Sequence, residues 1–171
     1  ALPNLTNSAD GSALLTWVEP AADGKGVCLR LSTLGAKGWG EAVTAAQGSG
    51  WFVIWADFPS AAVLQDGTMA VHWLDRISQK TYAYGVKVSI SSDQGKTGSD
   101  PIIPHRDDSQ TEHGFVALKS MGDHFFLAWL DGRAMADGEG KSMTLRATTI
   151  SAKGIRGIDR LLDDRVCDCC P

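Results

Sequence analysis

Three side chains that can do proton or metal chemistry recur at one spacing in this chain of 171 residues. Asp57, His113 and Cys169 follow one another at intervals of 56 residues. A carboxylate, an imidazole and a thiolate each offer lone pairs, and the imidazole titrates near neutral pH. Brought to one place, they could bind a metal ion or move protons. The alternative interpretation is a polar rim that only faces water.

The most polar part of the chain is the segment HRDDSQTEH, residues 105–113, which holds two His, two Asp, one Arg and one Glu. Glycoside hydrolysis needs two opposed carboxyl groups. Glu112 could supply one of them, and Asp57 or Asp131 could supply the other. We therefore predict that Asp57, Glu112 and His113 are the candidates for catalysis and that this segment is the functional loop.

A second set of carboxyl groups follows three tryptophans at a constant offset. Each acid lies two residues after a Trp, and an Arg follows two of them closely. Acids at equivalent positions of a repeated fold should ring one face, although an acid at a strand end also commonly pairs with a neighbouring Arg to small effect. Tyr82 could stack on a sugar ring or serve as packing. The predicted ligand-binding residues are Glu19, Asp75, Arg76, Asp131, Arg133 and Tyr82.

Three of the four cysteines lie in the last five residues, CDCCP. Thiolates are good ligands for zinc or cuprous ions, but Cys167, Cys169 and Cys170 lack the paired spacing of a zinc finger. A disulfide and reduced, inactive thiols are the two other interpretations. A soft metal ion at this segment is the only cofactor that the sequence suggests. Cys28 lies in a strand-like run and is expected to be a buried apolar residue.

A repeat that runs through the chain must position these residues. Trp17, Trp73 and Trp129 end the similar segments SALLTWVE, TMAVHWLD and HFFLAWLD, and they too are 56 residues apart. A tight-turn signal, ADG, QDG or MGD, precedes each segment and predicts a hairpin. An alternating run then predicts a third strand, VCLRLST, YGVKVSISS or MTLRATTIS. A fourth extended piece leads to the next repeat.

Four short strands in each repeat are typical of a β-propeller blade. We predict an all-β chain with three blades of four antiparallel strands, at approximately residues 1–56, 57–112 and 113–168, followed by the start of a fourth blade. Without the repeat, an antiparallel sandwich would be preferred. The nearest helical candidate is GIDRLLDDRV, which predicts at most one helical turn near Leu161.

The segment SSDQGKTG follows the third strand of the second repeat. It matches the pattern SxDxGxTW at Ser91, Asp93, Gly95 and Thr97, with Gly98 where Trp would stand. This segment resembles the Asp-box, or BNR repeat, of the sialidase superfamily of six-bladed β-propellers. In that family the box is a structural turn on the face opposite the ligand site. The resemblance therefore implies that Asp93 is structural and is not a catalytic acid.

The resemblance also implies that three blades are half of a six-bladed propeller, completed by further blades of a longer chain or by a second copy. The family's arginine triad, its RIP or FRIP motif and its catalytic Tyr match no residue of this sequence. The predicted function is therefore a sialidase-like module that binds a glycan or another small-molecule ligand on its polar face. An exo-sialidase or other glycoside hydrolase is one alternative, and a metal-binding or redox protein that uses the CDCC segment is another.

Composition and charge limit the partners. The net charge is −4 and the isoelectric point is near 5.5, with Lys and Arg scattered along the chain. This balance argues against nucleic acid as a partner and favours a neutral or cationic ligand. No apolar run is long enough to span a bilayer. The family resemblance, together with the disulfide interpretation, predicts a secreted or periplasmic location.

Overall fold

Three antiparallel sheets follow one another along the chain. The computed structural model describes residues 2–8, 10–138 and 141–167. Within those residues the only helix is a short 3₁₀-helix, Arg133–Asp137. Every strand pairs antiparallel with its neighbours. The predicted all-β fold of consecutive antiparallel blades is confirmed.

The first sheet is covered on one face only. Its strands are β1 (Asn4–Asn7), β2 (Ala13–Pro20), β3 (Val27–Gly35), β4 (Gly38–Trp39) and β5 (Val43–Gly48). Buried and half-exposed residues alternate along β2, which is the pattern of a strand with one face on the core. The short strand β4 pairs with the end of β3, and β5 pairs with the remainder of β3.

The second sheet is central and is buried on both faces. Its strands are β6 (Ser60–Val63), β7 (Met69–Arg76) and β8 (Tyr84–Ser91). Residues 69–74 of β7 are buried at every position, as in other strands that are covered on both sides. The fourth segment of this blade is reduced to one bridge between Val88 and Ile102. Pro101 and Pro104 flank that bridge, and a residue without an N–H cannot extend the ladder.

The third sheet contains four full strands. They are β9 (His113–Met121), β10 (His124–Asp131), β11 (Met143–Ser151) and β12 (Arg160–Val166). The predicted helical turn near Leu161 is wrong, because this segment is β12 and pairs with β11. A helix this short is not stable by itself, whereas the edge of β11 offers a row of backbone donors and acceptors.

Two apolar layers hold the sheets together. The layer between the first and second sheets includes Leu29, Trp51 and Trp73. The layer between the second and third sheets includes Phe125 and Trp129. Trp73 and Trp129 thus occupy equivalent positions in successive layers, so the repeat in the sequence is also a repeat in space. The equivalent Trp17 is half-buried.

The turn after β8 is held by its own side chains. Ser91 Oγ donates to Asp93 Oδ1 at 2.8 Å and accepts the N–H of Gly95 at 2.9 Å. The backbone N–H of Thr97 donates to Asp93 Oδ1 at 2.9 Å, and the Thr97 hydroxyl donates to Oδ2 at 2.7 Å. Thr97 and then Ser91 lower the pKa of Asp93 to about 2. Gly95 has a φ of 83°, and a Cβ added there would lie 2.8 Å from Leu31 of the first sheet, so the turn packs between two blades.

Candidate functional site

A cleft of about 790 Å³ opens where β7 turns into β8. We call it the aromatic cleft, because Trp55 and Tyr82 leave 80% and 65% of their surfaces exposed there. Exposed rings beside polar groups form the kind of surface that binds a ligand with one apolar face and several hydroxyl groups. The lining residues are Phe52, Ile54, Trp55, Ala56, Lys80, Thr81, Tyr82, Tyr84, Gln110, Thr111, Glu112, Phe115 and Met135.

Glu112 lies in the wall of the aromatic cleft and is fixed by Tyr84. The Tyr84 hydroxyl donates a hydrogen bond to Glu112 Oε1. The Tyr84 ring is fully buried and stacks on Phe52 with 3.9 Å between the ring centroids. Burial, and then the Glu112 carboxylate, raise the pKa of Tyr84 far above its usual value. Tyr84 therefore keeps its proton. Its hydroxyl donates to the Glu112 carboxylate and orients it.

Asp57 lies behind the wall of the cleft. It is 4% exposed, and its Oδ2 accepts the backbone N–H of Phe115. Phe115 has a φ of 51° and lies where the pairing of β9 with β10 shifts register. Non-glycine residues held in this left-handed region are strained, and such bulges commonly re-aim side chains beside functional sites. Asp57 thus holds the bulge that brings Phe115 to the aromatic cleft.

The environment of Asp57 favours its neutral form. Burial raises the pKa of Asp57 to about 6, although the N–H groups of Phe115 and Val116 donate to it, and the Glu112 carboxylate contributes to the rise. A carboxyl group with this pKa exchanges a proton close to neutral pH. Because it is buried, Asp57 in this arrangement positions the bulge and does not line the cleft.

The loop of residues 105–113 connects the cleft to a buried group of charges that we call the ion-pair cluster. Arg133 bonds to Asp131 at 2.7 Å and to Asp159 at 2.8 Å. Asp131 also accepts the indole N–H of Trp129 at 2.7 Å, so the acid behind this Trp serves as its hydrogen-bond acceptor. The members of the ion-pair cluster are Asp107, His113, Asp131, Arg133, Arg146 and Asp159.

Both ring nitrogens of His113 face oxygen atoms that can accept a hydrogen bond. Its Nδ1 lies 3.2 Å from the carbonyl oxygen of Thr111 and 3.3 Å from that of Tyr84, and its Nε2 lies 2.8 Å from Asp107 Oδ1. Carbonyl and carboxylate oxygens can only accept hydrogen bonds, so both nitrogens must donate. Burial alone would lower the pKa of His113, but Asp107 and Asp131 raise it. These contacts therefore favour the imidazolium form of His113.

The charges of the ion-pair cluster balance when His113 is protonated. Three carboxylates then face two guanidinium groups and one imidazolium. Burial would raise the pKa of Asp107, but His105, His113 and Ser109 hold it well below its usual value. Burial would likewise raise the pKa of Asp131, but Arg133, His113 and Trp129 lower it. A complete set of partners is what allows charges to remain buried.

His105 makes this region a candidate for metal binding. Ligand atoms of His105, Asp107 and His113 lie within 4.8 Å of one another. The Nδ1 of His105 lies 3.2 Å from Asp107 Oδ1, and its Nε2 is buried without a hydrogen-bond partner among the described residues. However, the two imidazoles stack with 4.1 Å between centroids and 16° between planes. A ring nitrogen binds a metal ion in the plane of its ring, and one ion cannot lie in both of these nearly parallel planes. The stacking therefore argues against a metal ion bound by both imidazoles.

The other predicted ligand-binding residues lie in different surroundings. Glu19 accepts the indole N–H of Trp17 at 3.0 Å and pairs with Arg30 at 3.3 Å. The backbone of Asp75 pairs with that of Trp51 in an isolated antiparallel bridge. Arg76 lies over the Phe52 ring, 4.9 Å from its centroid, and so supports the aromatic cleft from behind. Among the described residues, the acids that lie two positions after the three tryptophans do not form one ring of ligands.

The turn at Asp93 and the cysteines are separate from the cleft. Asp93 follows β8 at the end opposite Tyr84, and eight residues of strand span roughly 25 Å, so its carboxylate is remote from the aromatic cleft. Cys167 is exposed at the end of the described chain. Cys169 and Cys170 lie outside the described residues, and the predicted metal site there stays a prediction. Cys28 is buried, with its Sγ 4.0 Å from the carbonyl oxygen of Pro20.

Some important residues are missing from the sequence-based predictions. His105 and Asp107 belong to the predicted functional loop, but nothing in the sequence indicates that His105 stacks on His113. Trp55 could have been noticed as one of two closely spaced Trp residues in WFVIWADFP. The left-handed conformation of Phe115 has no signal in the sequence, because the strain depends on Asp57 from another segment.

Several solved structures share this fold. The α-L-arabinofuranosidase of Fusarium graminearum in complex with arabinobiose is 16% identical at a TM-score of 0.62, covering 98% of this chain and 49% of that one. An α-L-arabinofuranosidase from Clostridium thermocellum is 16% identical at a TM-score of 0.53, covering 95% of this chain and 53% of that one. The likeness shows a β-propeller fold. The chain spans about half the length of these structures.

A microbial sialidase is 17% identical at a TM-score of 0.49, covering 91% of this chain and 33% of that one. This match is too weak to assign the chain to the sialidases. No protein-family model matches the sequence, and no curated protein matches it. In the described part of the chain, no helix is long and apolar enough to cross a membrane.

Replacing Asp57 with Asn should change how stability depends on pH. The pKa of Asp57 is raised from 3.8 to about 6 by folding, so the stability that its neutral form provides is present below about pH 4 and lost as the pH rises through 6. As the pH rises from 4 to 7, the free energy of unfolding of Asp57→Asn should therefore increase relative to that of the parent by on the order of 3 kcal/mol. Urea unfolding at several pH values measures this difference. The exposed Asp100→Asn is the control, and an equal gain there would contradict the assignment.

Replacing Gly114 with Ala should disturb the wall of the cleft. A Cβ there would overlap Asp57 Oδ2 and lie 2.8 Å from Tyr84 Cε2. Overpacking of this kind costs about 1–3 kcal/mol in the free energy of unfolding. In Gly35→Ala the nearest atom would be 3.9 Å away, so that variant should lose less than about 0.5 kcal/mol. Urea denaturation of both variants measures the two losses in the free energy of unfolding. Equal losses would refute the contact.

Proposed function

We propose that this chain is a carbohydrate-binding β-propeller module and that the aromatic cleft is its ligand site. The observation that carries the proposal is the pair of exposed rings, Trp55 and Tyr82, beside the oriented carboxylate of Glu112. The flat faces of the rings can pack on the C–H face of a sugar, while Glu112 and nearby polar side chains accept and donate hydrogen bonds to its hydroxyls.

The fold likeness guides the choice of ligand to test. The Fusarium graminearum structure contains arabinobiose, so arabino-oligosaccharides are suitable first probes, with sialosides as the second class. A glycan outside the cytoplasm is the ligand we infer, which agrees with a secreted or periplasmic location. Further blades of a longer chain, or a second copy, would complete the propeller, since the chain spans about half the length of the structures that it matches.

Glycoside hydrolysis is the second candidate function. The Tyr84 hydroxyl fixes Glu112 in the cleft wall, and Asp57 nearby has a pKa of about 6, which suits an acid that releases a proton near neutrality. Glu112 is, however, the one carboxylate among the described residues that line the cleft, whereas hydrolysis uses two. We therefore rank ligand binding above catalysis.

Removing the exposed rings should weaken oligosaccharide binding. Trp55→Ala and Tyr82→Ala should each raise the Kd for arabino-oligosaccharides by about fivefold, since one lost stacking contact is worth roughly 1 kcal/mol. Isothermal titration calorimetry measures the Kd. Trp39→Ala is the matched control, because Trp39 is also half-exposed but lies in β4 of the first sheet. Binding that survives the loss of both rings would refute the cleft as the glycan site.

Glu112→Gln should separate binding from catalysis. If the protein hydrolyses a 4-nitrophenyl arabinofuranoside or a fluorogenic sialoside, this variant should lose at least about 100-fold in kcat, because general acid or base catalysis contributes that much. Tyr84→Phe should lose less, since it leaves the carboxylate in place. Oligosaccharide binding without turnover of either substrate would exclude the hydrolase candidate and leave the binding module.

A further inference from the structure

A second pocket, of about 540 Å³, lies beside the 3₁₀-helix. It is bounded by that helix, the start of β11 and the end of β12. We call it the basic pocket, because four of its lining side chains are cationic and one is a carboxylate, Asp164. The cations are Arg133, Lys141, Arg146 and Arg165.

Two of these cations are held in fixed positions. Arg133 uses its Nε and Nη2 to bond Asp131 and Asp159, and Arg146 uses its Nη1 to bond Asp159 at 2.8 Å. Their remaining N–H groups have no partner among the described residues, and the Nε of Arg146 is buried and unsatisfied. Guanidinium groups anchored at one edge lose little entropy when their remaining N–H groups bind an oxyanion.

The other two cations are exposed at the rim of the pocket. Lys141 and Arg165 form no ion pair with any residue that the structure describes. If Asp131 and Asp159 neutralise Arg133 and Arg146, and Asp164 offsets one rim cation, a positive charge still remains in the pocket. Ser142 and Thr144 also line it. The described side chains that line the pocket are therefore net positive, whereas the chain has a net charge of −4.

We propose that the basic pocket binds an oxyanion carried by a sugar, either a carboxylate or a sulfate ester. The sequence-based expectation of a neutral or cationic ligand follows from the net charge of the chain, whereas binding depends on the local field. The 3₁₀-helix contributes Met135 to the aromatic cleft and Arg133 to the basic pocket. One glycan could therefore contact both sites, although the basic pocket does not require that the cleft binds sugar.

The experiment compares three probes by calorimetry: D-glucuronate, D-glucose and inorganic sulfate. The protein should bind glucuronate at least about tenfold more tightly than glucose, and high salt should weaken that binding. The double variant K141Q/R165Q should lose at least tenfold in affinity for glucuronate. The variant R165K, which keeps the charge, should retain most of it.

The control variant K37Q/K96Q removes two exposed lysines elsewhere on the surface. An equal loss of affinity in this control would mean that the attraction is nonspecific and would overturn the site. Equal binding of glucuronate and glucose would overturn the role of the negative charge. Sulfate binding as tight as glucuronate binding would overturn the sugar as part of the ligand. These measurements test the basic pocket independently of the aromatic cleft. If the cleft failed to bind oligosaccharides, each measurement would still support or overturn the basic pocket.

Discussion

Burial of both faces of the second sheet is the constraint on which the rest of the structure depends. Residues 69–74 of β7 are buried on both faces of the strand, so the first and third sheets must both pack against the second sheet. Apolar burial supplies the driving force for this stacking. Once the sheets are stacked, the loops at one end meet, and Asp57, Tyr84 and Glu112 come together although they are far apart in the chain.

Buried charge sets a second requirement at the same end of the stack. The ion-pair cluster is neutral only when His113 is protonated, and removing one member would leave another buried charge without a partner. The pairs around Arg133 tie β10 to the segment before β12. The same loop that supplies His113 supplies Glu112, so the cluster also fixes the wall of the aromatic cleft.

The two proposed binding surfaces differ in their physical character. The aromatic cleft offers exposed rings and one oriented carboxylate, which suits sugar hydroxyls and C–H faces. The basic pocket offers anchored guanidinium groups on the third sheet, which suits an oxyanion. The net charge of the chain describes neither surface. It sums acids that pair inside the protein, such as Asp131 and Asp159, with cations that face the solvent.

The sequence by itself determined the blades, because a spacing of 56 residues, tight-turn residues and period-two runs encode local hairpins. It also indicated that Asp57 and the loop of residues 105–113 lie at one end of the blades, and Asp57 indeed accepts the N–H of Phe115 just after that loop; a functional role for the loop stays a prediction. It did not determine that Leu161 lies in a strand, because the pairing edge of β11 decides this. Only the tertiary structure decided that His105 stacks on His113, that Asp57 is buried and that Phe115 is strained. Each of these depends on contacts between different segments, and no local pattern of residues encodes such contacts.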